Sequence, residues 1–225
     1  MRYATAQGAG VSYTTTGITD LVTSLAVVFI LLFAAQITQT SSAAQSELQE
    51  NKEDVQTALR DHIQRLGLSL DADPRDPLAL VIVVPENLLT FELGKSTLSP
   101  TAEQFLAEAL PFYVGALCGP LRDKIDSLAI EGHTDDQGSD AFNLKLSQER
   151  SLAVMVKGFE VIQATEPTAY QCFQEITSAV GRGRQDLIYE SSAVVNREKS
   201  RRVIFKIRLR SAEQRHLVEQ SAKTF

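Results

Sequence analysis

The chain is 225 residues long, with 22 Lys and Arg against 28 Asp and Glu and a formal net charge of −6. That mild acidity argues against nucleic acid as the main partner, which selects a basic face. Apolar residues make up 44% of the chain, an ordinary globular share, so membrane-seeking content has to be local.

It is concentrated near the amino terminus. A polar, Thr- and Gly-rich head covers residues 1–17, and the run ITDLVTSLAVVFILLFAAQI follows it. From Leu21 to Ile37 the polar members are Thr23, Ser24 and Gln36. At ~1.5 Å per residue this stretch reaches roughly 25 Å, and Ile18 and Thr19 bring it close to the ~30 Å hydrocarbon core. The pattern predicts a transmembrane helix over 18–40. A cleaved signal peptide wants a cationic first region and a shorter apolar core. The head offers Arg2 alone, although FAAQ and SSAAQ supply small residues for a cut. A buried helix of a soluble domain would carry a polar face, and none accompanies this run. An uncleaved anchor is the favoured reading. Arg2 precedes the span and Glu47 is the first charge after it, so the positive-inside rule places the amino terminus in the cytoplasm and the rest outside.

Asp20 stands at the mouth of this span, about 13 Å from its middle. On a helix Asp20, Thr23, Ser24 and Val27 fall at i, i+3, i+4 and i+7, so one stripe holds the polar groups of the first two turns. Two readings stand at this point. Asp20 is either an N-cap for the backbone N–H groups of Val22 or Thr23, or an ion carrier facing another protein, with Thr23 and Ser24 as pore-lining support.

Residues 41–77 read as a linker. Leu48, Val55 and His62 alternate with Lys52, Leu59 and Leu66 in an imperfect heptad, which fits a short dimeric coiled coil or a solvated linker helix. DADPRDP (71–77) breaks the chain before a folded domain at 78–210, and 211–225 form a tail. Within the domain LALVIVV (78–84) predicts a strand ended by Pro85. Ser99-Pro100 opens a helix with Phe105, Leu106, Ala109 and Leu110 on one face, which Pro111 kinks or ends. IDSLAIEGHTD (125–135) predicts a strand running into a loop. A second helix follows, with Leu146, Leu152, Val156 and Phe159 among its apolar positions. SAVGRGRQDLI is turn-rich, with GRGR (181–184) as a turn rather than a phosphate loop. In RRVIFKIRLR (201–210), Val203, Phe205, Ile207 and Leu209 alternate with charged residues, the period of a half-buried strand. The order β-α-β-α-β-β predicts an α+β fold with helices packed on one mixed sheet. Scattered His and two distant Cys give no metal-ligand spacing, and no nucleophile–base pair points to an enzyme.

EGHTDDQGSDAFNLKLSQERS resembles the signature of OmpA-like peptidoglycan-binding domains: Gly-x-Thr-Asp, a Gly, an Asn, Leu-Ser, then Arg. NREKSRRVIFKI resembles that family's closing Arg-Arg-Val strand, and the likeness covers roughly 80–210. It implies a domain that clasps the diaminopimelate-containing stem peptide of the cell wall. Asp135 and Arg150 would make the principal contacts, Thr134 and Asn143 would line the site, and Arg201 or Arg202 would stand nearby. The chemistry is compatible: Asp135 follows a strand end, where α/β sheets leave a crevice. An Asp and an Arg suit the amine and carboxylate that end a diaminopimelate side chain. The competing reading of the pair alone is a surface salt bridge. His133 reads as a packing or loop residue. In the implied topology the connections ALCGPLRDK (116–124) and ATEPTAYQCFQE (164–175) lie at one end of the sheet, opposite the peptide site. Cys118 and Cys172 would then pair as a disulfide, in keeping with an oxidising compartment.

A short head, one helix opening with Thr-Asp and an OmpA-like domain together resemble the B subunits of proton-driven stator motors, the flagellar MotB family and the ZorB family of Zorya anti-phage systems. TDLVTSLAVVFILLF and the short link to the domain are closer to ZorB. The resemblance implies a homodimer within a pentameric MotA/ZorA-like A-subunit ring, a 5:2 complex. It further implies an inner-membrane location, a periplasmic wall-binding domain, no cofactor, and Asp20 loading and releasing protons. The alternatives are a flagellar subunit and a plain wall anchor indifferent to Asp20.

Overall fold

The computed structural model describes residues 12–92, 94–191, 193–211, 213–215 and 217, with the backbone alone for 12–20, 41 and 191. The chain divides into two units, Met1–Ser46 and Glu47–Phe225.

In the first unit the described residues are helical, part of α1 (Ser12–Arg65). Its apolar side chains from Leu21 to Ile37 are exposed all round the helix. A helix apolar on every side belongs in an apolar medium, and a window within Leu21–Arg65 reaches a mean hydropathy of 2.3, apolar enough to cross a membrane. Asp20 lies within α1, one turn before the exposed Thr23 and Ser24. Its side chain falls outside the described residues, as do residues 1–11 of the head.

The second unit begins with the rest of α1. Val55, Leu59 and Ile63 are 0%, 0% and 1% exposed and join the main hydrophobic core. Their i, i+4, i+8 spacing is one helix face. This corrects the linker expected over 41–77. From Glu47 onward the helix belongs to the domain, pinned by Lys124 to Asp54 and by Arg215 to Glu47. It also corrects the coiled-coil seam, since Val55 and Leu59 are taken up by contacts inside the chain. The second of those salt bridges and a bond from Gln214 Nε2 to Asp126 Oδ1 (3.3 Å) draw the start of the tail back onto the domain.

β1 (Leu70–Ala72), β2 (Ala79–Pro85), β3 (Ile125–His133), β4 (Thr177–Gly183) and β7 (Arg202–Leu209) form a mixed sheet of order β1-β2-β7-β3-β4. β3 and β4 run parallel, and the other neighbours run antiparallel. A small hairpin, β5 (Tyr189–Ser191) with β6 (Val194–Val195), precedes the short helix α5 (Arg197–Ser200). Val203, Phe205, Ile207 and Leu209 of β7 are buried, the face predicted from their alternation.

α2 (Pro100–Cys118) and α3 (Asp140–Thr165) pack on each other, with α3 against β3 and β4. Ser99 caps α2, its hydroxyl accepting from Ala102 N. α2 runs through Pro111 to Cys118, so the expected early end is not seen. On α3 two of the apolar positions, Leu152 and Val156, are nearly half exposed. Its buried residues include Leu146, Val154 and Ile162 beside Ser147 and Ser151, which are small enough for the helix to sit close. The connection at 164–175 contains a short helix, α4 (Tyr170–Ile176), whose Phe173 is buried. Cys172 of α4 is bonded to Cys118 at the end of α2 (S–S 1.99 Å, Cα–Cα 5.8 Å), the pairing the resemblance implied.

Candidate functional site

Three neighbouring strands deliver the site. Register matches Pro85 to Arg202 and Arg202 to His133, so the ends of β2, β7 and β3 lie side by side. Glu86 follows β2, Arg201 precedes β7, and Thr134 and Asp135 follow β3. Arg201, just ahead of the central strand, reaches both flanks. Its terminal nitrogen donates to Asp135 Oδ2 at 2.8 Å and its Nε donates to Glu86 Oε2 at 2.6 Å. Burial works against the charge on Arg201, but the two carboxylates raise its pKa above the usual guanidinium value.

The loop after β3 is tied at both ends. Asp135 Oδ1 accepts from Gln137 N (3.0 Å), and Asn143 Nδ2 donates to Gln137 O (2.8 Å). Ser139 then caps α3, its hydroxyl accepting from Phe142 N. Thr134 N donates to Gly183 O (2.9 Å), while its buried Oγ1 has no hydrogen-bond partner among the described residues.

Arg150 arrives from α3. It is only 7% exposed, its guanidinium lies 4.8 Å from the Phe91 ring centroid, and its Nε donates to the Lys95 carbonyl at 3.0 Å. Among the described residues no carboxylate forms an ion pair with it. Burial lowers its pKa below the ordinary value. A narrow cleft lies between Arg150 and Arg201, bordered also by Glu86, Phe91, Gly132, Arg202 and Val203.

Two glycines let α3 come this close. A Cβ on Gly132 would stand 2.3 Å from Ser147 O, and one on Gly181 would stand 2.6 Å from Gln148 N. Gly181 lies in GRGR, which is not the expected turn. Its first three residues end β4. There Gly181 N donates to Gln148 Oε1 (2.7 Å) and Gly183 N to Ser147 Oγ (2.8 Å), so α3 caps the open edge of the sheet.

The structure thus brings Thr134, Asp135, Asn143, Arg150 and Arg201 to one end of the sheet. Arg202 borders the cleft, but its guanidinium donates to the Ser200 and Asp186 carbonyls, both at 3.0 Å. His133 is buried, with Nδ1 3.1 Å from Gln185 O and Nε2 3.8 Å from Glu131 Oε2. Glu131 also pairs with Arg182 at 2.5 Å. Burial opposes its charge, yet His133 and Arg182 bring its pKa down to about 2. Sequence reasoning missed Glu86, Phe91 and the Lys95 carbonyl. Glu86 stands just past a strand end as Asp135 does, but its meeting with Arg201 follows from the pairing of β2 with β7. Among the described residues no group of three His, Cys, Asp or Glu is placed to hold a metal ion.

No protein-family model matches the chain. Outer membrane protein P5 of Haemophilus influenzae is 35% identical over 108 residues, 44% of this chain and 28% of that protein. The chain therefore spans less than a third of the length of the curated relative it matches. The crystal structure of a MotB-like protein from Desulfovibrio vulgaris aligns with a TM-score of 0.53 at 23% identity, covering 74% of this chain and 96% of that one. At that identity the likeness is one of fold: an N-terminal apolar helix is followed here by a mixed α+β domain with the fold of that MotB-like protein.

Proposed function

We propose that the chain is a single-pass inner-membrane protein whose folded unit grips peptidoglycan from the periplasm. The carrying observation is Arg150, a buried guanidinium with no carboxylate ion pair among the described residues, bordering a cleft with Glu86 and with Arg201, which holds Asp135. Burying a cation uncompensated is costly, and a ligand carboxylate would supply the missing partner through a bidentate, charge-assisted contact. The ligand's amine would meet Asp135. A diaminopimelate side chain ends in that pair of groups, which selects the wall stem peptide as ligand. The disulfide between Cys118 and Cys172 suits an oxidising compartment.

The finer reading is a stator-type B subunit, working as a dimer within a pentameric A-subunit ring and placed in a Zorya-like defence system. Asp20 is its ion carrier and protons are its ion. In a low-dielectric span a carboxylate is favoured neutral and ionises where water enters, which lets it load and release a proton. The wall domain then holds the B helices still while the ring turns.

Two assays separate these levels. Full-length protein should co-sediment with purified sacculi, and Asp135→Ala or Arg150→Ala should abolish this; undiminished sedimentation of both variants refutes wall binding. Asp20→Asn should leave sedimentation and membrane abundance intact but remove phage protection in cells carrying the neighbouring operon genes. Protection that survives reduces Asp20 to a helix cap and the chain to an anchor.

A further inference from the structure

The site holds one more carboxylate than an Asp–Arg clasp requires. Arg201 bridges Glu86 and Asp135 through two different nitrogens, so this trio carries two negative charges and one positive. Arg150 supplies a second positive charge from α3, close enough for Glu86 and Asp135 to act on it electrostatically, though neither forms an ion pair with it among the described residues. The strand-end trio is therefore net anionic and α3 contributes a cation, with Arg202, which also borders the cleft, turned to the Ser200 and Asp186 carbonyls. Without Glu86 the Asp135–Arg201 pair would be neutral and the anionic pole would vanish.

We propose that Glu86 is a specificity-determining residue of this site, making the strand-end pole anionic so that it selects an ammonium group. This inference rests on the wall-peptide reading above and assigns the amine of the ligand, rather than its carboxylate, to the Glu86–Arg201–Asp135 trio. Glu86 acts by position as well as charge. Holding Arg201 by its Nε keeps that guanidinium from folding over both Asp135 oxygens, one of which already serves Gln137 N. Side-chain exposures of 27% for Glu86 and 10% for Asp135 leave the outer carboxylate reachable from solvent and the inner one desolvated. A partly desolvated pole discriminates charge more strongly than an exposed one.

The test uses the full-length chain in detergent and two soluble ligands, a diaminopimelate tripeptide and the same tripeptide N-acetylated on its side-chain amine. Wild type should bind the free amine about tenfold or more tightly than the acetylated form, the scale of one charge-assisted contact. Glu86→Gln should erase most of that preference, weakening the free-amine ligand several-fold while leaving the acetylated ligand unchanged. Glu86→Asp should restore part of it. A Glu86→Gln variant that weakens both ligands equally, or neither, overturns the inference and leaves wall binding standing. If wild type binds neither ligand, the wall-peptide reading itself fails and the inference falls with it. Thermal unfolding of Glu86→Gln beside wild type separates a lost pole from a lost fold.

Discussion

Asp135 and Arg201 are 66 residues apart in the chain and 2.8 Å apart in the fold. The antiparallel pairing of β3 with β7 makes that contact, since it sets His133 opposite Arg202 and so brings the residues just outside both strands together. Arg201→Ala should leave Asp135 without its cation, and Glu86 likewise. Removing one member of a partly buried ion pair costs roughly 1–3 kcal/mol. The expected outcome is a lower urea midpoint together with weaker sacculus binding. Arg202→Ala, whose guanidinium serves backbone carbonyls, should affect stability without a comparable change in binding.

Glu131 gives the domain a defined acid limit. Its carboxyl sits at about 2 in the folded chain against 4.5 unperturbed, held down by His133 and Arg182 against the effect of burial. A depressed acid stabilises the fold above its unfolded pKa, so the contribution is complete above pH ~4.5 and is lost as pH falls toward 2. At full extent it is of order 3 kcal/mol. Urea midpoints should fall across that window, and Glu131→Gln should flatten the slope; an unchanged slope in the variant assigns the acid sensitivity elsewhere.

The bond between Cys118 and Cys172 closes a loop across a sequence separation of 54 and fastens α2 to α4. Chain-entropy estimates for a loop of that size come to about 4 kcal/mol, with measured effects more often 2–4. The Cys118→Ser, Cys172→Ser double variant should lose stability on that scale, read as a drop in Tm. An unaltered Tm would show that the packing of Phe173 alone secures α4.

Much of this architecture was legible in the sequence. The alternation of Val203, Phe205, Ile207 and Leu209 gave β7 its buried face, and Ser99-Pro100 gave α2 its start. Asp135 and Arg150 could be nominated from the sequence because their motif is local: both flank one strand–loop–helix connection. Glu86 escaped because its meaning depends on strand order, which pairs β2 with β7 across the chain. The α1 segment after Glu47 was misread for a related reason. A heptad and an i, i+4, i+8 stripe share Val55 and Leu59, and only tertiary packing decides which face is buried. Leu152 and Val156, apolar yet nearly half exposed, show that apolar spacing alone does not mark the buried face of α3, which includes Ser147 and Ser151.

The close approach of α3 to Gly132 is itself testable. Gly132→Ala would press a methyl to 2.3 Å from the Ser147 carbonyl, a contact relieved only by moving α3. Overpacking of this kind costs about 1–3 kcal/mol. Because Arg150 rides on α3, the variant should lose affinity for wall peptide more than stability alone accounts for, measured at a temperature where it remains folded. Leu59→Ala, in the core and not among the residues bordering the cleft, should destabilise by about 2–5 kcal/mol with affinity of the folded protein unchanged.

The central claim is that an unpaired, buried Arg150 awaits a ligand carboxylate. Titration calorimetry of the full-length chain in detergent with a diaminopimelate tripeptide, set beside the tripeptide whose side-chain carboxylate is amidated, tests it most directly. The account predicts saturable binding of the free acid, weakened roughly tenfold or more by amidation, and no such difference in Arg150→Ala. Equal affinity for acid and amide in the wild type would contradict it.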